Sequence, residues 1–395
     1  MSITATPQTQ KRAGPALAAL FLGTFVMGMA ELLVVGVLDL IAKDFEVSLS
    51  STGTLVTSYA FGLAVGGPIL TALTIRLSRR RLLLFAMAAY VLGNVVMALA
   101  GHFAVLLAAR AVTGAVQGLF IGVAFAVGAS VVTPDRMGRA ISIVIGGVAV
   151  SIALGVPIGT LIGQGLGWRG AFLAVVGLGL VALVALVALV PAVTATGVEG
   201  LRAQARFALA PRVLAMLVVG FLLLGGQYAA LTYITPFLQQ VTGVSGAWIS
   251  AFLLAYGVAT AVGAFAGGWA ADRNAARTLG LANLVLVGAL GALWLSGAVP
   301  VLVALALLVW GLVGFGLVPS LQYRVVDLAG PGRDLAATLP ASAVNTGIAV
   351  GALAGGWSLD SFGPASVVVT GLLVCLVALP ATWASGLLKV RPQGS

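Results

Sequence analysis

The chain has one cysteine, Cys375, and one histidine, His102. A lone cysteine forms no intramolecular disulfide, and with a single histidine beside it no Cys/His metal cluster can be assembled. The only lysines are Lys11, Lys43 and Lys389. None follows a G-x4-G-K-[ST] loop, which excludes a Walker-type ATP site. Charge is scarce as well: Asp, Glu, Lys and Arg make up 8% of the 395 residues, against roughly 25% in soluble domains. So few charges cannot cover a water-facing surface.

Apolar residues are abundant instead. They make up 61% of the chain, and the mean hydropathy is +1.16. Runs of about 20 apolar residues, the length that crosses a bilayer, recur between short polar breaks. Their approximate limits are 16–38, 52–75, 82–100, 104–130, 140–164, 170–191, 213–235, 246–270, 278–297, 301–323, 337–359 and 364–388. The sequence therefore predicts an all-α membrane protein with 12 transmembrane helices. Lys11 and Arg12 precede the first run as in a signal peptide, but the run is too long for one and reads as an uncleaved first helix.

The net charge of +10 points to topology rather than to nucleic acid, because the cations sit in short loops and not in one patch. With the N-terminus in the cytoplasm, seventeen Lys and Arg residues fall on the cytoplasmic side. Only Lys43 and Arg169 fall outside, and Arg110 lies within a span. This asymmetry places both termini in the cytoplasm. The longest internal polar stretch, "TATGVEGLRAQARFALAPR", divides the chain into a six-helix bundle (1–193), a cytoplasmic linker (194–212) and a second six-helix bundle (213–395). Gly155, Gly159 and Gly163 form G-x3-G-x3-G in the fifth span, and Gly347, Gly351 and Gly355 repeat it in the eleventh. A looser echo links Arg76 after the second span with Asp272 and Arg273 after the eighth. Repeated halves suggest two pseudo-symmetric bundles that rock about a midplane cavity.

Within this apolar frame a few polar residues stand out. Glu31 lies inside the first span, where a charge costs roughly 2.5–3.5 kcal/mol on insertion scales. Either it is permanently paired, or it is a proton carrier. Burial favours a neutral acid and a nearby cation favours the carboxylate, so an acid held between the two can load and release a proton. Arg110, in the fourth span, stays charged and needs acceptors or a partner. It reads equally as a structural hub or as a functional cation. Asp39 is about 80° around and about 12 Å along a straight helix from Glu31; it reads as a cavity residue or an ordinary interface residue. Tyr59, Gln117, Gln227, Tyr228, Tyr233 and Asn345 are polar side chains within spans. Each either lines a substrate cavity or bonds one helix to another. Trp310 and Trp357 read as packing residues. The glycine ladders let helices approach closely, and Pro157 is positioned to kink the fifth.

These motifs together resemble the major facilitator superfamily, and within it the twelve-helix drug/proton antiporters. The arabinose-efflux, sugar-efflux and chloramphenicol-resistance group is the nearest match. "MAELLVVGVL" is similar to that group's acidic first-helix signature. "LLAARAVTGAVQG" carries the buried Arg and following Gly, here Arg110 and Gly114. "LGVPIGTLIGQGLGWR" is similar to the antiporter Gly-Pro motif, with Gly155, Pro157, Gly159 and Gly163. "LQYRVVDLAG" and "SAVNTGIAVGALAGG" are similar to the tenth and eleventh helices. The loop after the second span departs from the family pattern, because Thr71, Ile75 and Ser78 replace Gly, Asp and Gly while Arg76, Arg79 and Arg80 remain. Its second copy, Gly268 with Asp272 and Arg273, is closer. Val156 stands where the fifth-helix motif has glycine before its proline.

The resemblance implies a proton-coupled exporter in a bacterial inner membrane, working as a monomer. Glu31, Arg110 and Asp39 would handle the proton, the loop motifs would gate, and the fifth-helix seam would limit proton leak. No cofactor is expected beyond the proton gradient. The expected partners are a small-molecule substrate, protons and the bilayer, not nucleic acid. The substrate is expected to be an uncharged or amphipathic drug such as a chloramphenicol-like compound, with a sugar or nucleoside as the alternative. A membrane-embedded enzyme is disfavoured by the thin supply of catalytic groups, and a channel by the repeated halves.

Overall fold

The computed structural model describes residues 7–74, 77–133, 137–191, 206–207, 209–330, 336–337 and 339–388. Among these every regular element is helical. That is the outcome expected where no water is available to satisfy the backbone and each segment must satisfy its own. Nine described stretches are long and apolar enough to cross a bilayer. Two elements are each a pair of helices joined across a break. Met137–Leu189 breaks at Gly167, whose φ of 75° glycine adopts without strain. Ala247–Leu295 breaks at Asn274, where the backbone is extended (φ −161°, ψ 88°). With those breaks resolved and Leu339–Phe362 included, the described residues form the expected twelve helices.

We label them α1 (Pro7–Gly36), α2 (Leu49–Thr74), α3 (Arg79–Ala98), α4 (Phe103–Ser130), α5 (137–166), α6 (168–189), α7 (Pro211–Leu231), α8 (247–273), α9 (275–295), α10 (Pro300–Ala329), α11 (Leu339–Phe362) and α12 (Ser366–Ala384). Large apolar side chains cover the outside, including Leu73, Phe85, Trp248, Phe265 and Leu295. Such a surface suits lipid and not water. Trp357, expected in the packing, lies on this outer face and stacks edge-on against Phe362 at 5.7 Å.

Two compact units are present, Met1–Glu46 with Ser58–Gly197, and Val47–Thr57 with Val198–Ser395. In the first, α1 packs on α5 through the glycine ladder. A Cβ on Gly155 would stand 2.9 Å from the Met29 Cα, and one on Gly159 2.9 Å from the Leu33 Cγ. Gly163 faces Val37 in the same way, and Pro157 is buried between these rungs. The helix seam is therefore backbone-close. α2 contains a π-helical stretch, Gly62–Gly66, and Gly62 sits against the Ala111 carbonyl of α4. At one end of the unit, Arg79 donates to the Ala126 carbonyl (3.1 Å) and Arg80 to the Val187 carbonyl (2.6 Å). Both carbonyls lie near the C-terminal ends of their helices, where a cation is favoured. Arg76 lies outside the described residues. At the other end, Arg169 pairs with Asp44 at 2.5 Å and stacks on Trp168, which itself donates to Asp44.

In the second unit the α11 ladder is tighter still. Cβ atoms on Gly347, Gly351 and Gly355 would run into the carbonyl oxygens of Phe221, Gly225 and Ala229 on α7. We expect Gly351→Val to abolish recovery of monodisperse protein by size-exclusion chromatography. Backbone cannot move aside as a side chain can, and overpacking costs about 1–3 kcal/mol even where repacking is possible. Gly288→Ala, with nothing within 4 Å, should elute as the parent does. Tyr233 donates to the carbonyls of Ala352 (3.0 Å) and Ser50 (3.4 Å), and Ser50 donates to Asp360. Asp272 and Arg273 are exposed at the end of α8, with the Arg273 guanidinium 3.2 Å from the Trp269 ring centre.

Candidate functional site

The first unit gathers several polar side chains of α1–α4 at one place. Glu31 and Met27 are one turn apart on α1, so they present the same face. Opposite them α4 brings Arg110 and Gln117, α2 brings Tyr59 and α3 brings Tyr90. The Gln117 Nε2 donates to the Glu31 Oε2 at 2.7 Å. The Tyr59 hydroxyl donates to the other end of that amide, the Gln117 Oε1. The two tyrosine hydroxyls lie 3.1 Å apart, and Tyr90 donates to the Met27 carbonyl at 3.0 Å. Asn94, one turn along α3, donates to the Tyr90 carbonyl.

Arg110 closes the site. Its two terminal nitrogens donate to the main-chain carbonyls of Ala30 and Glu31, each at 3.1 Å. Its guanidinium lies 4.0 Å from the centre of the Tyr59 ring, a cation–π contact strengthened by the dry surroundings. Gly114 makes the arrangement possible, because a Cβ there would collide with the Tyr59 carbonyl and hold α2 away from α4. Arg110, Tyr59, Tyr90 and Gln117 are all at most 1% exposed, whereas Glu31 is only half-buried. Glu31 is thus the least buried member of the hydrogen-bonded chain.

That chain has two proton arrangements. The two hydroxyl protons serve three contacts: the Gln117 Oε1, the Met27 carbonyl and the tyrosine–tyrosine pair. If Tyr59 donates to Gln117, then Tyr90 donates either to Tyr59 or to Met27. A proton arriving at Glu31 would turn its acceptor oxygen into a donor, and Gln117 can answer by turning its amide.

The other sequence candidates lie elsewhere. Asp39 is past a break at Val37 (φ −123°, ψ 16°), in a short helix, Leu38–Asp44. The straight-helix angle to Glu31 therefore does not apply. In the second unit Gln227 is fully buried, with its Nε2 donating to Gly314 and Leu223 carbonyls and its Oε1 accepting from the Trp310 indole at 3.1 Å. Tyr228 and Tyr233 are buried, and Asn345, half-buried, donates to Ala341 on its own helix. Sequence reading missed Tyr90. It is a tyrosine inside an apolar span, as Tyr59 is, and the same criterion finds it.

The sequence model of the Major Facilitator Superfamily matches residues 20–338. The chain belongs to this superfamily. It is accordingly a multi-pass membrane transporter and not an enzyme. The Inner membrane transport protein YdhP of Escherichia coli (strain K12) is 34% identical over 376 residues, spanning 92% of this chain and 95% of that protein. The Chloramphenicol resistance protein of Streptomyces lividans is 31% identical over 363 residues, covering 90% of this chain and 92% of the other. A crystal structure of a bacterial homologue of the human lysosomal transporter Spinster superposes with a TM-score of 0.81 over 97% of this transporter and 99% of that chain, at 15% identity. That likeness is one of superfamily fold.

Proposed function

We propose that this transporter is a proton-coupled exporter of small organic molecules, with chloramphenicol-like compounds as the first class to test. The observation that carries the reading is the Glu31 site, where the least buried member of a hydrogen-bonded network is a carboxylate, tied to an amide and two tyrosines and backed by Arg110. Protonation at Glu31 reverses the donor on the Gln117 amide, and that reversal reaches α2 through Tyr59 and α3 through Tyr90. Arg110 anchors α4 to the α1 backbone, so its charge stays beside Glu31 whichever way the amide points. The drug class rests on the Streptomyces lividans relative. An inner-membrane location rests on the Escherichia coli relative and on the cation asymmetry of the loops, which also puts both termini in the cytoplasm and the exporter in a position to use an inward proton gradient. The working unit is a single chain. Arg79 and Arg80, as caps on α4 and α6, hold the cytoplasmic ends of those helices during the cycle.

Everted membrane vesicles from an efflux-deficient host test the proposal. Vesicles holding the transporter should accumulate labelled chloramphenicol when energised and release it when an uncoupler collapses the gradient. Equal uptake with and without the uncoupler would indicate a channel or uniporter. Uptake of no compound in a panel of amphipathic drugs would remove the drug class.

A further inference from the structure

The two units repeat in register, and this register locates the counterpart of the Glu31 site. The short helix Leu38–Asp44 recurs as Ile234–Gln240, 196 residues on, and the breaks before them, Val37 and Tyr233, share nearly the same backbone angles (φ −123° and −114°, ψ 16° and 22°). Gly114 rests on the Tyr59 carbonyl and Gly311 on the Tyr256 carbonyl, a shift of 197 in both members. Apolar grooves on the outside of each unit agree: Val105, Ala109 and Val112 on α4 line one, and Leu302, Ala306 and Val309 on α10, again 197 residues on, line the other. The counterpart of Glu31 is therefore Gln227. Tyr59 corresponds to Tyr256, Tyr90 to Leu286, Arg110 to Leu307 and Gln117 to Gly314.

We propose that this second cluster is a proton-silent copy of the first, a fixed joint, so that the chain carries a single proton-exchanging site in its membrane interior and moves one proton per reorientation. This deepens the proton-coupling reading above and rests on it. The geometry shows how the copy is neutralised. The carboxylate is an amide, and the cation position holds a buried leucine, Leu307. The glycine at 314 leaves room for the Gln227 amide and the Trp310 ring, since a Cβ there would stand 3.0 Å from the Trp310 Cδ1 and closer still to the Gln227 Oε1. The Trp310 indole supplies the donor to Gln227 and packs edge-on against Tyr256 at 5.4 Å. Both ends of the amide are thus bonded to the protein, and Gln227 and Trp310 are fully buried. The other ionisable groups on α7 and the helices around it are Arg212 and Tyr228 on α7, Tyr256, Asp272 and Arg273 on α8, Tyr323, Arg324 and Asp327 towards the end of α10, Asp360 near the end of α11, and Cys375 on α12. Among the described residues no carboxylate is bonded to Gln227.

The test counts protons without any substrate. Purified protein in lipid nanodiscs is stepped from alkaline to acidic pH in weak buffer, and uptake per chain is read with an indicator dye. Trp310→Phe, which removes only the indole donor, and Gln227→Leu should take up as many protons as the parent while melting at lower temperature. Gln227→Glu with Leu307→Arg, which writes the first unit's charges into the second, should take up one more. Fewer protons in Trp310→Phe or Gln227→Leu, or no gain in the double variant, would overturn the silent copy. Should Gln227→Leu fail to fold, Trp310→Phe carries the comparison. The parent reading fails by a different signature, a Glu31→Gln variant that takes up as many protons as the parent.

Discussion

Glu31→Gln is expected to leave a folded transporter that exchanges substrate but no longer concentrates it. An amide at this position keeps an oxygen to accept from the Gln117 Nε2, which now donates to the Glu31 Oε2 at 2.7 Å. It also carries an N–H group where a protonated acid would carry O–H. The variant can meet either orientation of the Gln117 amide but has no acidic proton to take up or release. Arg110 bonds the main-chain carbonyls of Ala30 and Glu31, and those contacts do not depend on the side chain at 31. The melting temperature should accordingly stay close to that of the parent. Gradient-driven accumulation in everted vesicles should fall at least about tenfold, equivalent to about 1.4 kcal/mol, while counterflow of labelled against unlabelled substrate persists. The response of transport to external pH should flatten along with it. An amide variant that accumulates substrate with the parent's pH dependence would show that Glu31 is a structural residue and that the proton travels elsewhere.

The fold is legible in the sequence because lipid enforces a one-dimensional rule. Each crossing needs its own apolar run, and a run interrupted by Gly167 or by Asn274 with its charged neighbours announces a break even where the helix axis continues. The glycine ladders are legible for the same kind of reason, since small residues at every fourth position have few uses other than close approach. The site was legible only in part. Glu31 and Arg110 stand out against an apolar background, but which of the polar aromatic residues join them depends on which helices neighbour α1, and that is a three-dimensional fact. Tyr59 and Tyr90 meet because α2 and α3 both pack on α4. Gln227 has the same appearance in sequence as Gln117, yet one amide belongs to the Glu31 chain and the other is bonded on both ends to its own unit. The sequence also shows the ladder echo at 192 residues, whereas the breaks at Val37 and Tyr233 set the structural repeat at 196. A four-residue motif slides by one rung without changing the pattern, so only a non-periodic feature such as a break could establish the register.

Arg110→Leu should be the most destabilising single substitution in the first unit, and its rescue separates the two roles the sequence allows for this residue. Removing the guanidinium leaves the Ala30 and Glu31 carbonyls without its N–H groups, strips the Tyr59 ring of its cation, and leaves the Glu31 carboxylate without a cation on α4. Leaving a buried acceptor without its donor costs about 1–3 kcal/mol. Leucine itself fits this helix register, because Leu307 fills the matching place in the second unit and is buried there. The cost is therefore electrostatic and not steric. Replacing the carboxylate as well, in Arg110→Leu with Glu31→Gln, should recover much of the loss. The interaction between the two sites should fall in the range of about 0.5–3 kcal/mol found for residues that share a network. Arg110→Lys keeps a cation but loses the planar fork that reaches two carbonyls and stacks on a ring, so it should sit between parent and Arg110→Leu in melting temperature while losing coupled transport. Unfolding in detergent, followed by near-ultraviolet circular dichroism, measures the parent, the three Arg110 variants and Glu31→Gln on one scale. If the double variant is no more stable than Arg110→Leu alone, then Arg110 serves the α1 backbone only. If it is more stable, the guanidinium is there for the carboxylate, and Glu31 is tolerated in the apolar interior because Arg110 stands beside it.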